Sequence, residues 1–284
     1  MNGDDFRFVA GLLLQRSGLA LGPDKGYLID SRLTPVARAN GFGDVAGLVR
    51  VLRCNPEPRL VEAVVDAMTT NESFFFRDGR PFARFADHVL PELLKARRAQ
   101  RTLSIWCAAA STGQEPYSLA MCLADRAREL EGWKVDLLAT DISPTALERA
   151  KAGIYSTFEV QRGLPPDRLV RCFDRIGDSY TIKPAIKRWV RFQRNNLLEL
   201  RPGFGRFDIV FCRNVLIYFD AATKRRVLDT MAGFIPADGV LVLGGTETLL
   251  GVCDRFEGVP GERGLYRPLA RHASAAGAPA RATA

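Results

Sequence analysis

The chain has 284 residues, ample length for a buried core, and its 47% hydrophobic and 25% charged residues are ordinary values for a globular protein. Its apolar runs fall far short of the roughly 20 residues that span a membrane, and no signal peptide follows Met1. We therefore expect a cytoplasmic protein without direct membrane insertion, whose net charge of +8 favours an acidic partner but does not identify it.

Helical spacing dominates the first part of the chain. Apolar residues recur at intervals of three and four, as in Phe6, Val9 and Leu13, and stretches rich in glycine, proline and asparagine separate the runs. The pattern predicts a bundle of about four helices in an N-terminal domain over residues 1–78. A linker helix is expected over residues 79–100.

Alternating strands and helices begin at Leu103 and predict an α/β domain with a mainly parallel sheet over residues 101–269. A small antiparallel β insertion is expected at about residues 171–190, where the alternation is interrupted, and a disordered tail at 270–284, where periodicity ends. The predicted strands are 103–107, 134–139, 190–194, 207–212, 239–243 and 264–268, and the predicted helices begin near Glu115, Pro144, Pro165 and Ala221.

A turn of small residues links the first predicted strand to the next helix. Residues 108–113 read Ala-Ala-Ala-Ser-Thr-Gly, and Pro116 suits the first turn of the helix that follows. Side chains this small let a ligand lie against the backbone, while N–H groups at the helix start point into the crevice beyond the strand. The turn therefore predicts a cofactor site.

Polar residues follow each of the first four strands of the α/β pattern. Glu115 begins the helix after the first strand, Asp141 ends the second, Asn196 follows the third, and Arg213 and Asn214 follow the fourth. The carboxyl ends of parallel strands share one edge, so these residues are expected in one site, with Asp141 accepting from ribose hydroxyls. Two structural alternatives stay open: Asp141 as a helix cap, and Glu115 as an acid favoured by the helix dipole.

The turn at 108–113 narrows the class of cofactor. It lacks both the G-x-G-x-x-G pattern of pyrophosphate binding and the G-K-[ST] pattern of a P-loop. A nucleoside without phosphate, such as S-adenosylmethionine, fits better. Six scattered cysteines and two histidines show no metal-ligand spacing, so no metal is expected.

Four stretches then carry a resemblance: Met68-Thr-Thr-Asn-Glu-Ser-Phe-Phe-Phe-Arg77, Ala108-Ala-Ala-Ser-Thr-Gly-Gln-Glu-Pro-Tyr-Ser118, Ala139-Thr-Asp-Ile142 and Phe207-Asp-Ile-Val-Phe-Cys-Arg-Asn-Val-Leu-Ile-Tyr-Phe-Asp220. In this order they closely resemble the CheR-type chemotaxis receptor methyltransferases, over about residues 5 to 268. The resemblance implies an all-α domain, a linker helix, and a Rossmann-like methyltransferase sheet that carries a small β subdomain. It also implies methyl transfer from S-adenosylmethionine to receptor glutamates, which forms glutamyl methyl esters and S-adenosylhomocysteine.

By motif position, the resemblance implies a set of cofactor contacts in the interdomain segment and along the sheet edge. Ser73 stands where threonine is frequent and Gln114 where glutamate is, and both keep hydrogen-bonding capacity. The implied cofactor-binding residues are Asn71, Ser73, Arg77, Glu115, Asp141, Asn196, Leu197, Arg213 and Asn214.

Two residues are hypothesised to act on the substrate side. A glutamate carboxylate is already ionised at neutral pH, so methyl transfer needs alignment but no general base, and neither His88 nor His272 is assigned a role. The Arg77 guanidinium is the first choice to hold one carboxylate oxygen while the other attacks, and Tyr218 is the second. Their structural alternatives are a surface arginine beside the phenylalanine run and an aromatic ring packed on the sheet.

The expected partner is the cytoplasmic helical domain of methyl-accepting chemotaxis receptors. A short turn at 175–180 predicts action without a receptor pentapeptide tether, and a monomer is expected. Two rival functions are considered. The first is a nucleic-acid methyltransferase, which is disfavoured because Cys-Arg-Asn-Val stands where an N-P-P-Y-like motif would be, so no nucleic acid partner is expected. The second is a non-catalytic protein that senses S-adenosylmethionine. Steering of acidic receptor helices is assigned to Arg32, Arg38, Arg50, Arg53 and Arg59.

Overall fold

The computed structural model describes residues 2–269, and the tail predicted at 270–284 lies outside them. A side-chain cap starts the first helix, where Asn2 accepts a hydrogen bond from the Asp5 N–H at 2.8 Å, and Gly18 ends it in the left-handed conformation. Four helices form the N-terminal bundle, as the spacing predicts: α1 (Gly3–Ser17), α2 (Gly26–Ala39), α3 (Val45–Cys54) and α4 (Pro58–Met68), with a 3₁₀ turn at Pro23–Lys25.

The linker helix predicted over 79–100 is interrupted and shorter. It consists of α5 (Arg80–Arg84), a π-helical turn (Phe85–Val89) and α6 (Leu90–Ala96). The Leu90 N–H donates to the Phe85 carbonyl, five residues back. Pro91 gives the physical reason, because a proline inside a helix has no N–H and crowds the carbonyl four residues earlier.

The α/β domain follows the predicted alternation. Its first half contains β1 (Thr102–Ala108), α7 (Gln114–Asp125), β2 (Lys134–Asp141), α8 (Pro144–Ala152), β3 (Ile154–Ser156), α9 (Thr157–Gln161), α10 (Pro166–Cys172), β4 (Phe173–Ile176) and β5 (Ser179–Ile182). Its second half contains α11 (Pro184–Lys187), β6 (Val190–Arg194), 3₁₀ turns at Leu197–Glu199 and Leu216–Tyr218, β7 (Ile209–Cys212), α12 (Ala221–Ala232), β8 (Val240–Leu243), β9 (Phe256–Gly258) and β10 (Leu265–Pro268).

Seven strands form the main sheet in the order β6-β2-β1-β7-β8-β10-β9. The first five are parallel, and β10 is antiparallel to both of its neighbours. Ala108 at the end of β1 is in register with Thr140 and Cys212, so β1, β2 and β7 end at one level. The chain leaves β1 toward β2 and later returns to pair β7 on its other side, which opens a crevice at this edge.

Both faces of the sheet are covered. Along β1, Ile105 and Cys107 pack against the linker helix and α7, whereas Trp106 and Ala108 pack on the opposite face against α12. All four are fully buried, as expected for a central parallel strand. The predicted fold class, an α/β sheet preceded by an all-α domain, is thereby confirmed.

Two short strands were not predicted. β9 lies at the edge of the main sheet, and β3 belongs to the small antiparallel sheet, whose order is β3-β5-β4. The β insertion therefore uses Ile154–Ser156, which precedes the predicted range of 171–190. Each of these strands has three residues, too few to show a period of two, and β3 is defined by pairing with β5 more than twenty residues later.

The helical domain packs across the carboxyl edge of the sheet. Asp66 of α4 accepts hydrogen bonds from the Ser143 and Thr145 hydroxyls at the start of α8, the latter at 2.5 Å. Glu62, one turn earlier on α4, forms an ion pair with Arg194 at 2.9 Å. A cavity lies between the two domains and is lined by residues of both.

Candidate active site

The cavity between the domains is lined by three segments of the chain. All ten predicted site residues line it, and their roles toward a cofactor or substrate stay predictions. The lining comprises Ser17, Leu19, Thr69 and Thr70 from the helical domain, Asn71, Glu72, Ser73 and Arg77 from the interdomain segment, and Ala109, Ser111, Glu115, Asp141, Ile142, Asn195, Asn196, Leu197, Arg213, Asn214, Val215, Tyr218 and Phe219 from the sheet domain.

The small-residue turn has an unusual backbone. Ala109 (φ 55°), Ser111 (φ 52°) and Gly113 (φ 96°) all lie in the left-handed region, which is costly for the first two. A Cβ at Gly113 would stand 2.9 Å from the Ala150 Cβ and 3.0 Å from the Tyr155 hydroxyl. This position therefore requires glycine for both its φ and its packing.

Asp141 holds this turn in place. Its Oδ2 accepts a hydrogen bond from the Ser111 N–H at 2.7 Å, and its Oδ1 accepts one from the Ser143 N–H at 2.9 Å. Burial raises the pKa of Asp141, and the backbone N–H groups oppose that rise. The cap of α8 is the Ser143 hydroxyl, which accepts from the Ala146 N–H, so the alternative of Asp141 as that cap is wrong.

Arg213 forms the most buried ionic contact at the site. Its fully buried guanidinium pairs with Glu115 and with Asp78, the latter at 2.6 Å, and donates to the Arg77 carbonyl at 3.0 Å. Burial disfavours the charged guanidinium, but the two carboxylates outweigh this and raise the pKa of Arg213. Glu115 is thus more than a first-turn acid, since it ties the start of α7 to β7 and to the interdomain segment.

Glu247 is a polar residue of this region that the sequence analysis missed. Its buried carboxylate accepts four backbone hydrogen bonds, from Asn214 at 2.7 Å, Val215 at 3.1 Å, Leu216 at 2.8 Å and Gly244 at 2.7 Å. Asn214 has a positive φ of 57° within this arrangement. The available signal was an acid shortly after the carboxyl end of β8, the edge of the sheet at which the predicted site residues also lie.

The helical domain closes one side of the cavity through backbone contacts. The Asn196 amide donates to the Arg16 carbonyl at 2.8 Å, and the Ala20 N–H donates to the Tyr218 carbonyl at 2.9 Å. Leu19, which the sequence analysis also missed, enters the lining between these contacts. Leu197 is buried beside Asn196 and adds apolar surface.

The interdomain segment runs along the mouth of the cavity. The Ser111 hydroxyl donates to the Asn71 carbonyl at 3.0 Å, which links the segment to the small-residue turn. Arg77 donates to the Glu72 carbonyl at 3.2 Å through Nη1, and no other hydrogen bond or ion pair from its guanidinium involves a described residue. Its remaining N–H donors are therefore available to an anion at the cavity.

The cysteines are packing residues in this fold. Five of the six are buried, and Cys54 alone is exposed. Burial raises the pKa values of the Cys107 and Cys212 thiols, which makes both poor nucleophiles. Across residues 2–269, no group of three or more His, Cys, Asp or Glu side chains is placed to hold a metal ion, and no helix is long and apolar enough to cross a membrane.

Comparisons with known proteins agree with this geometry. Residues 71–265 match the family described as CheR methyltransferase, SAM binding domain, and residues 4–69 match CheR methyltransferase, all-alpha domain. The chain is 43% identical over 268 residues to chemotaxis protein methyltransferase 1 of Pseudomonas aeruginosa, covering 93% of this chain and 97% of that protein. It is 39% identical over 272 residues to chemotaxis protein methyltransferase of Vibrio parahaemolyticus, covering 95% and 98%.

A more distant relative is chemotaxis protein methyltransferase of Salmonella typhimurium. It is 35% identical over 257 residues, covering 88% of this chain and 86% of that protein. The fold and the family match define a methyltransferase with an S-adenosylmethionine-binding domain. The chain belongs to the CheR methyltransferase family, in its chemotaxis class.

Proposed function

We propose that this enzyme transfers the methyl group of S-adenosylmethionine to glutamate carboxylates of methyl-accepting chemotaxis receptors, forming glutamyl methyl esters. The observation that carries the proposal is the pairing, in one cavity, of a small-residue turn with an Arg77 guanidinium that has uncommitted donors. The relatives, which are named chemotaxis protein methyltransferases, support the same class of substrate.

The cavity has the chemical groups that such a cofactor requires. Asp141 uses each carboxylate oxygen for one N–H bond and keeps lone pairs for ribose hydroxyls. Leu19, Ile142 and Leu197 offer apolar surface for an adenine ring. Arg213 lines the cavity with a buried Nε that has no partner among residues 2–269, a donor that the polar amino acid end of the cofactor would satisfy.

The cofactor supplies a methyl group activated by a positively charged sulfonium. Arg77 binds one oxygen of the substrate glutamate and leaves the other free to attack, so this residue orients the nucleophile. No side chain removes a proton, because the glutamate is ionised at neutral pH. The catalytic contribution is therefore the alignment of the attacking carboxylate oxygen with the methyl carbon.

Tyr218 is assigned a supporting position beside the transferred methyl group. Its backbone is fixed by the hydrogen bond from Ala20, and Glu247 holds the turn in which it lies. Tyr218 lines the cavity, and its hydroxyl makes no hydrogen bond to residues 2–269. Tyr218 therefore has a hydroxyl that is not committed to another hydrogen bond among residues 2–269.

The receptor is proposed to approach across the helical domain, without a pentapeptide tether. Three of the five arginines assigned to steering, Arg38, Arg50 and Arg59, are exposed and make no ion pair within residues 2–269. The other two are engaged in the fold: Arg32 donates to the Met68 carbonyl at 2.8 Å, and Arg53 pairs with Asp5 at 3.3 Å. Fewer arginines than the sequence analysis assigned are therefore available to attract an acidic receptor.

One assay tests the reaction and its rivals. The enzyme is incubated with a labelled methyl donor and either receptor-containing membranes or RNA, and alkali is then added to release volatile methanol. We expect release from the membrane samples alone, since only a carboxyl ester hydrolyses in this way. Alkali-stable label in RNA would identify a nucleic-acid methyltransferase, and no label in either sample would indicate a cofactor sensor.

A further inference from the structure

Glu72 lies between two arginines at the mouth of the cavity. Its Oε1 accepts a hydrogen bond from Nη2 of Arg162 at 2.8 Å, and its backbone carbonyl accepts from Nη1 of Arg77 at 3.2 Å. The hydrogen bond and charge of Arg162 lower the pKa of Glu72, and the Arg77 charge adds a smaller effect in the same direction. Glu72 is therefore an ionised carboxylate that is paired with Arg162 and also attracted by the charge of Arg77.

Phe74 brings the two guanidiniums together. The Arg162 guanidinium carbon lies 4.4 Å from the centre of the Phe74 ring, and that of Arg77 lies 5.3 Å from it. Both distances are within the range of a cation–π contact. Arg162 comes from the loop after α9, so a ring of the interdomain segment joins this loop to the residue expected to bind the substrate.

Gly163 fixes the position of that loop. It has a φ of 83°, and a Cβ there would lie 2.2 Å from the Phe75 carbonyl oxygen. The backbone of the loop thus packs directly on the backbone of the interdomain segment. Arg162 lies one residue away from this close contact, so the backbone from which its side chain reaches Glu72 is held against the interdomain segment.

We propose that Arg162 is a positioning residue that engages the Glu72 carboxylate and so keeps the Arg77 guanidinium available for the substrate. The inference rests on the proposed function, in which Arg77 binds a glutamate. Without Arg162, Arg77 becomes the cation next to Glu72, and an internal carboxylate competes with the substrate carboxylate for the same donors. The unneutralised Glu72 charge also repels an acidic substrate.

A purely structural ion pair would behave differently. The Arg162 and Glu72 side chains are 42% and 59% exposed, and ion pairs this exposed contribute little to stability. Removing Arg162 should therefore leave the fold and the cofactor pocket intact. The loss of Arg162 should instead raise the KM for the receptor substrate.

The test compares methyl transfer to receptor-containing membranes by the wild type, Arg162→Ala, Glu72→Gln and the double variant. We expect Arg162→Ala to raise the receptor KM by about ten-fold, with the affinity for S-adenosylhomocysteine unchanged by calorimetry. Adding Glu72→Gln removes the competing charge and should return KM to within about two-fold of the value for Glu72→Gln alone. Arg149→Ala is the matched control, since the Arg149 ion pair with Glu159 at 3.0 Å involves neither Glu72 nor Arg77.

Two results would overturn the inference. The first is an Arg162→Ala variant with the receptor KM of the wild type. The second is a double variant as impaired as Arg162→Ala, which would mean that Arg162 acts without Glu72. A wild-type enzyme that releases no methanol from membranes would instead defeat the proposed function, and the two failures are thereby distinguished.

Discussion

The Glu247 carboxylate binds the N–H of Asn214 at 2.7 Å while Asn214 has a left-handed backbone. The same carboxylate binds the next two N–H groups, so one side chain after β8 shapes the turn after β7. That turn leads to Tyr218. The strain of a positive φ at a non-glycine residue is offset here by four hydrogen bonds to a charged acceptor.

Replacing Glu247 with glutamine should destabilise this turn. A glutamine presents an NH₂ group to two of the four N–H donors, which leaves them buried and unpaired, at a cost of about 2–4 kcal/mol. Urea unfolding measures that loss, and titration with S-adenosylhomocysteine should show weaker binding. Glu257→Gln, at an exposed position of β9, is the control, and an equal response from both variants would contradict the role assigned to Glu247.

The buried ion pair of Arg213 predicts a large effect on stability. Arg213→Met leaves the Glu115 carboxylate buried without its cation and should lower the free energy of unfolding by about 3–5 kcal/mol. Arg191→Met removes an exposed pair with Asp136 and should cost less than about 1 kcal/mol. Adding Glu115→Gln to Arg213→Met should recover part of the loss, and the absence of any recovery would count against the pairing.

Asp141 predicts a pH dependence of cofactor binding. Burial raises its pKa above 3.8, so its proton is taken up at a higher pH than that of an exposed aspartate. Protonation removes charge and an acceptor, and affinity for S-adenosylhomocysteine should therefore fall as pH is lowered through this raised pKa. Because the folded-state pKa is raised, acid does not destabilise the fold through this group.

Calorimetric titration between pH 7.5 and 4.5 measures this dependence. Asp141→Asn should bind at least about ten-fold more weakly at neutral pH and should lose the pH-dependent component. Asp136→Asn, earlier on the same strand and partly exposed, should retain wild-type behaviour. An Asp141→Asn variant with wild-type affinity would remove Asp141 from the cofactor site.

Arg77→Ala should separate catalysis from cofactor binding. Transfer to receptor should fall by about a hundred-fold or more because the nucleophile is no longer oriented, whereas affinity for S-adenosylhomocysteine should fall much less. Arg80→Ala, three residues along at an exposed position, serves as the control in the methanol-release assay. Unchanged turnover in Arg77→Ala would exclude Arg77 from the mechanism.

Strand-end residues explain why so much of the cavity could be predicted. Parallel strands end at a common edge, so Asp141, Asn196 and Arg213 could be brought together from the order of strands alone. The CheR-type resemblance added Asn71 and Ser73, for which no spacing rule exists. Leu19 could not be predicted, because a residue in a loop of the helical domain reaches the cavity only once that domain docks.

The sequence by itself determined the local features of this protein: helical spacing before residue 70, alternation after Leu103, and the small-residue turn at 108–113. Each depends on residues within one element or its immediate neighbours. The tertiary structure decided which charges meet, as when Arg213 pairs with Asp78 and Glu72 with Arg162. Those partners are some 90 to 135 residues apart, and such contacts depend on how complete elements pack, which no local pattern records.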